Sequence, residues 1–114
     1  ASETMTVYGL DRCTALFYGS AKQLRTRGTE FEDTAASFEA TAVQLGQIGL
    51  LVRHYYGFEV DPEKIANRIL DIQGLYEERL YQNLLATGHT LGPLIKDDLA
   101  YCKTFSESIE KLVQ

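Results

Sequence analysis

The sequence lacks most of the residues and motifs that identify an enzyme or a cofactor protein. Its 114 residues include no tryptophan, two prolines, two cysteines and two histidines. It has no C-x-x-C-H segment for covalent haem, and no paired E-x-x-H segments for a di-iron bundle. Phosphate loops, nucleophile elbows and zinc spacings are also missing. We therefore expect no enzyme, cofactor or metal site, unless a site is assembled from residues distant in sequence.

Long apolar runs and a basic surface are missing as well. The longest apolar stretch, IGLLV, is far shorter than the roughly 20 residues that span a bilayer. Eleven Lys and Arg residues are scattered among sixteen Asp and Glu residues, for a formal net charge of −5. Nucleic acids and anionic membranes attract clustered basic residues, so we expect neither as a partner. A basic or neutral protein is the expected partner.

The chain does contain a strong helical pattern. Apolar residues recur at spacings of three and four, strand-like alternation is almost absent, and glycines divide the pattern into four segments. Short connections between long helices favour antiparallel neighbours. We predict one all-α domain, residues 1–114, folded as an up-down-up-down four-helix bundle.

Capping residues predict where the helices begin and end. Thr29 and Glu32 form a predicted capping box for the second helix. Asp61 and Pro62 are the predicted N-cap and first residue of the third helix, and Pro93 opens the fourth. The start of the first helix is open between Thr4 and Asp11. The glycines predicted to end the first three helices are Gly28, Gly57 and Gly88.

The two cysteines, Cys13 and Cys102, are far apart in sequence but nearly level in such a bundle. With loop centres near residues 28, 59 and 90, Cys13 maps to about residue 105 on the fourth helix. That is three residues from Cys102, or roughly 4.5 Å of helical rise. Both cysteines lie on apolar stripes of helices that would be neighbours. We predict a disulfide between them; two buried free thiols or a catalytic cysteine are the alternatives.

A lasting disulfide also predicts the compartment. Disulfides persist in oxidising environments, so we expect a periplasmic or secreted protein. The chain begins with Ala-Ser-Glu, and signal peptidases cut after small residues, so Ala1 is the expected mature terminus. Removal of an initiator methionine before Ala1 is the alternative.

Aromatic residues crowd the predicted tip between the second and third helices, in the segment RHYYGFEVDP. Exposed aromatic side chains beside basic residues are typical anchors of protein interfaces. The alternative is that Met5, Val7 and Tyr8 cover them. The candidate protein-binding residues at this tip are Arg53, His54, Tyr55, Tyr56, Phe58 and Glu59.

Adjacent acids on the third and fourth helices are the other candidate contact residues. They are Glu77, Glu78, Asp97 and Asp98. Neighbouring residues on a helix point about 100° apart, so we expect these acids on solvated faces rather than at one catalytic centre. The two histidines, His54 and His89, fall at opposite ends of the predicted bundle, where they cannot share a metal ion.

Glycines within the predicted helices are the remaining unusual feature. Each lowers helix stability by roughly 1 kcal/mol relative to alanine at an exposed interior position. Gly46 on the second helix lies nearly level with Gly74 on the third. We expect close packing of these two helices there, with a groove left by the missing side chains as the alternative.

These features predict an exported, non-enzymatic protein-binding module. The more specific hypothesis is an inhibitor or immunity-type protein that neutralises a basic enzyme, such as a cell-wall hydrolase. Its basis is the acidic charge, the disulfide-linked scaffold and the lack of a catalytic motif. The alternatives are a small-molecule carrier with an apolar pocket in the bundle, and a dimeric structural or chaperone-like protein that associates through the aromatic tip.

Overall fold

The structure, a computed structural model, describes residues 2–88 and 93–113 and confirms an all-α fold of four helices. The helices are α1 (Glu3–Arg25), α2 (Glu32–Tyr56), α3 (Pro62–Thr87) and α4 (Pro93–Val113). A short 3-10 turn, Thr29–Phe31, precedes α2. No strand occurs within the described ranges. The up-down-up-down order is confirmed by contacts between helices: Asp11 pairs with Arg53 and Arg25 with Glu32, so α1 and α2 run in opposite directions.

Local capping signals are confirmed at both ends of α3 and at the end of α2. The Asp61 carboxylate accepts hydrogen bonds from the backbone N–H groups of Glu63 and Lys64, so it caps the free amides of the first turn. Gly57 and Gly88 each have φ of +77°, the left-handed conformation that ends a helix without a Cβ clash. These ends depend on a few neighbouring residues, which is why the sequence pattern identifies them.

The predicted capping box of α2 is wrong. Thr29 lies in the 3-10 turn, Phe31 occupies the N-cap position, and no side chain caps the first turn. Glu32 is the first residue of α2, too early in the helix to reach back to a cap residue. Its carboxylate instead lies 3.2 Å from Arg25 at the end of α1. An ion pair between α1 and α2 therefore replaces the predicted hydrogen bonds of the capping box.

The bundle is arranged around α1. From residue 9 to residue 21, every position is buried except Arg12 and Tyr18, which are half-buried. A helix that is buried on all sides lies in a core, whereas a surface helix buries one stripe. The backbone of α1 packs closely against those of α2 and α3, and much less against that of α4. The other three helices therefore surround α1, and α2 and α3 make little direct contact with each other.

The predicted contact between α2 and α3 at their glycines is wrong. A Cβ on Gly46 would lie 3.9 Å from Thr14 of α1, whereas a Cβ on Gly74 would have no atom within 4 Å. The close approach of α3 is instead to α1 at Gly19, where a Cβ would be 3.5 Å from the Gln73 side chain. Gly46 therefore allows α2 to pack closely on α1, and Gly19 allows α3 to pack closely on α1.

The predicted disulfide between Cys13 and Cys102 is confirmed. Their Cα atoms are 5.4 Å apart, and both side chains are fully buried in the main hydrophobic core. The bond joins α4 to α1, whose backbones otherwise make few close contacts. The disulfide therefore links α4, the helix that packs least tightly on α1, covalently to α1.

Candidate functional site

The aromatic tip at the end of α2 is partly exposed. Tyr55 is 86% exposed and His54 is exposed beside it. Tyr56 and Phe58 are half-buried and pack edge to face, with ring centroids 5.9 Å apart. Of the three α1 residues that could have covered the tip, only Val7 is buried, and it lines a cavity with Phe58. His54, Tyr55 and Glu59 are thus the exposed tip residues available to a partner.

Arg53, predicted as part of that exposed tip, is in fact buried. It is 5% exposed, and its Nη2 atom donates a hydrogen bond to Oδ2 of Asp11 on α1 at 2.5 Å. The same Asp11 oxygen lies 3.3 Å from Nε of Arg68 on α3. A buried carboxylate requires such partners, because leaving water without them is strongly unfavourable. The cluster attaches α2 and α3 to α1, and its sequence signal was Asp11, the one acid in α1 beyond the first turn.

Most of the predicted contact acids are engaged within the protein. Three of the five form ion pairs, at 3.6 Å, 3.1 Å and 2.9 Å respectively. The pairs are Glu59 with Lys64, Glu77 with Lys22, and Asp98 with Arg12. Glu78 is exposed and accepts a hydrogen bond from Gln82, and Asp97 is exposed. Ion pairing therefore offsets the charge of three of these five acids.

A second polar cluster, not identified from the sequence, joins α1, α3 and α4. Arg12 donates from Nε to the Tyr76 hydroxyl at 2.8 Å and from Nη2 to Oδ1 of Asp98 at 2.9 Å. The Tyr76 hydroxyl donates to Oδ2 of Asp98 at 3.0 Å. The hydrogen bonds to Tyr76 and Asp98 raise the pKa of Arg12, and burial raises the pKa of Tyr76. The three side chains hold one another in a fixed arrangement.

An apolar groove runs between α2 and α3, with α1 as its floor. Its volume is about 480 Å³, and it is open to solvent along one side. Thr14 and Tyr18 form the floor. Along α3 the lining extends from Pro62 to Gln73, about 17 Å at the helical rise. The wall residues are Gly46 and Leu50 of α2, and Pro62, Ile65, Ala66, Ile69, Leu70 and Gln73 of α3.

Exposed apolar residues continue from this groove onto the outer face of α3. Leu70 is 58% exposed, and Gly74, one turn later, leaves the helix backbone uncovered. Tyr81 and Leu85 extend the same side of α3 and are 49% and 63% exposed. Contiguous exposed apolar surface commonly marks an interaction site. The groove and this edge together place exposed apolar side chains along much of α3.

No protein-family model matches this chain, and comparisons with curated proteins and with solved structures find no match either. Of the helices described, none has the length and apolarity needed to cross a membrane. Within residues 2–88 and 93–113, no three His, Cys, Asp or Glu side chains are grouped to hold a metal ion. His89, which was expected at the other end of the bundle from His54, lies outside the described residues.

Sequence reasoning did not identify the groove residues as contact residues, although a signal for the groove was present. Gly46 lines the groove and Gly74 flanks it. This agrees with the alternative expectation that the missing glycine side chains leave a groove. The sequence pattern predicts contact between α2 and α3 at these glycines, because neighbouring helices touch in a regular four-helix bundle. Centring the bundle on α1 separates those helices and opens the groove between them.

Proposed function

We propose that this protein is an exported, non-catalytic binding module that recognises an amphipathic helix of a partner protein in the groove between α2 and α3. The observation that carries the proposal is the open apolar groove on a platform of three packed helices. Amphipathic helices insert side chains at i, i+3 or i+4, and i+7 into grooves of this kind. The 17 Å of groove along α3, about three turns, is long enough for such a set, which spans about 10.5 Å from i to i+7.

The chemistry of the groove favours a protein helix over a small ligand. The Thr14 hydroxyl donates to the Leu10 carbonyl at 2.7 Å, and its methyl group faces Gly46. Small-molecule sites bury most of the ligand surface and place several polar groups around it. This groove is open on one side and largely aliphatic. A carrier function is the second candidate, supported by its volume and tested by native mass spectrometry for a co-purified apolar ligand.

Charge supports a basic or neutral partner. The formal net charge of −5 would accelerate encounters with a basic protein and slow those with an acidic one. An inhibitor or immunity-type protein for a basic enzyme, such as a cell-wall hydrolase, combines this charge with a preformed binding surface. The Cys13–Cys102 disulfide supports an oxidising, exported location for that role.

Affinity capture from a periplasmic extract with matched surface variants tests the proposal. Leu70→Glu places a charge at the edge of the groove, and Leu51→Glu places the same charge at a leucine of similar exposure outside it, 64% against 58%. We expect wild type and Leu51→Glu to retain the same protein, and Leu70→Glu to retain about tenfold less. Circular dichroism verifies that both variants are folded.

Three outcomes contradict the proposal. The first is that no protein is retained by any variant, and the second is that all variants retain the same protein equally. The third is loss of the partner with Tyr55→Ala but not with Leu70→Glu, which would place the contact at the aromatic tip. Once a partner is purified, its activity should fall in the presence of wild type and remain unchanged with Leu70→Glu.

A further inference from the structure

A second cavity, separate from the α2–α3 groove, lies where α1, α3 and α4 meet. Its volume is about 360 Å³. Three aliphatic side chains, Ile72, Leu75 and Ile95, form its apolar wall. Two arginines, Arg12 and Arg79, lie on its lining as well. The cavity therefore combines an apolar surface with positive charge, which the α2–α3 groove does not.

The charged groups of this cavity leave a local positive excess in an acidic protein. Arg12 and Arg79 contribute two positive charges to the lining, and Asp98 contributes one negative charge. A third arginine, Arg68, lies over the ring of Tyr8 on the cavity lining, 5.8 Å from its centroid, but its charge is offset by Asp11, so the excess comes from Arg12 and Arg79. An anion is therefore attracted to this position despite the net charge of −5 on the chain.

Arg12 is preorganised to bind an anion. Its hydrogen bonds to Tyr76 and Asp98 use two of its five N–H donors, so three remain for a ligand. Those two partners hold the guanidinium in place before any ligand arrives, which reduces the entropy lost on binding. Arg79 is exposed and forms no ion pair with a carboxylate among the described residues. The cavity thus offers one fixed and one adaptable guanidinium.

We propose that this cavity binds a small amphiphilic carboxylate. The carboxylate accepts hydrogen bonds from Arg12 and Arg79, since a guanidinium matches the planar geometry of a carboxylate. The hydrocarbon part packs against Ile72, Leu75 and Ile95 and covers Leu75, which is 75% exposed. A monoanion fits better than a phosphate dianion, because the Asp98 carboxylate lies on the same lining.

Calorimetric titration with two carboxylates and a neutral analogue tests this site. Octanoate and phenylacetate are the aliphatic and aromatic probes, and octanamide has the octanoate chain without the charge. We expect saturable binding of at least one carboxylate and about tenfold weaker binding of octanamide. Amide and side-chain NMR shifts should concentrate at Tyr8, Leu75 and Tyr76.

Matched arginine variants identify the binding group. Arg79→Gln should weaken carboxylate binding about tenfold, and Arg27→Gln should leave it unchanged. Arg27 lies beyond the end of α1, where it stacks over Phe31 at 5.3 Å. Both substitutions remove one positive charge, so the comparison separates a local contact from the overall field.

The proposal is overturned if neither carboxylate binds, if octanoate and octanamide bind equally, or if the two arginine variants behave alike. NMR shifts confined to Tyr18 and Leu70 would also overturn it, because they would place the ligand in the α2–α3 groove. None of these results depends on whether the groove recognises a protein helix.

Discussion

Asp11 on α1 and Arg53 on α2 form a buried ion pair between residues 42 positions apart in sequence. Asp11 is 1% exposed and Arg53 is 5% exposed, so neither group is solvated by bulk water. Arg68 approaches the same carboxylate from α3. A buried pair of this kind adds little net stability compared with apolar residues, because desolvation opposes the attraction. Its consequence is that α2 and α3 pack on α1 in the register that brings these groups together.

Removing one member of this pair should be strongly destabilising. Asp11→Ala leaves the Arg53 guanidinium buried without its carboxylate, and we expect a loss of about 3–5 kcal/mol in the free energy of unfolding. Urea denaturation measures it. The double variant Asp11→Leu, Arg53→Met should recover a large part of that loss, since no unpaired charge stays buried. A single-variant loss below about 1 kcal/mol would contradict the burial of the pair.

Two glycine-to-alanine substitutions should have opposite effects. A Cβ on Gly9 would lie 3.0 Å and 3.1 Å from ring carbons of Phe105 on α4, so Gly9→Ala requires the Phe105 ring to shift from its packed position. We expect a net loss of about 1 kcal/mol or more despite the better helix propensity of alanine. Gly74→Ala meets no atom within 4 Å and should gain about 1 kcal/mol. Thermal unfolding of both variants tests this, and a stabilising Gly9→Ala would contradict the packing of Phe105.

Loss of the disulfide should destabilise the fold substantially. The bond between Cys13 and Cys102 closes a loop with a sequence separation of 89 residues. The chain-entropy model gives about 4–5 kcal/mol for a loop of this length, and measured values are often smaller. We expect the double variant Cys13→Ala, Cys102→Ala to unfold at lower urea concentration. Two reactive thiols in denatured, unreduced protein would show that the bond is absent.

Alkaline pH should weaken the fold through Tyr76. Burial raises the pKa of Tyr76 above its ordinary value of 10.0, so the folded state holds the phenolic proton more tightly than the unfolded state does. The stabilisation is therefore fully present below pH 10.0 and is lost as the pH rises through the raised folded-state pKa. Tyr76→Phe should reduce this alkaline loss. Phenolate absorbance and urea denaturation over a pH series measure it, and an unchanged pH profile would contradict the assignment.

The helix ends and the disulfide show what local pattern and chain length reveal. Gly57, Gly88 and Asp61 act through their own conformation or through amides within three residues, so the sequence is sufficient to place them. The disulfide followed from counting residues along antiparallel helices. The capping box at Glu32 failed because Arg25, from another helix, provides its partner. Prediction failed at Glu32 and at Arg53, where a residue of another helix provides the partner.

The amino-acid sequence by itself determined four helices, most of their ends, their alternating direction and the cysteine pair, because these depend on nearby residues and on segment length. Only the tertiary structure decided that α1 is central, that Arg53 is buried against Asp11, and that a groove opens between α2 and α3. The physical reason is that α1 carries small residues on several sides, such as Gly9, Ala15 and Gly19, and these let three helices approach it. The periodicity of an apolar stripe reports one buried face and does not reveal how many helices surround it.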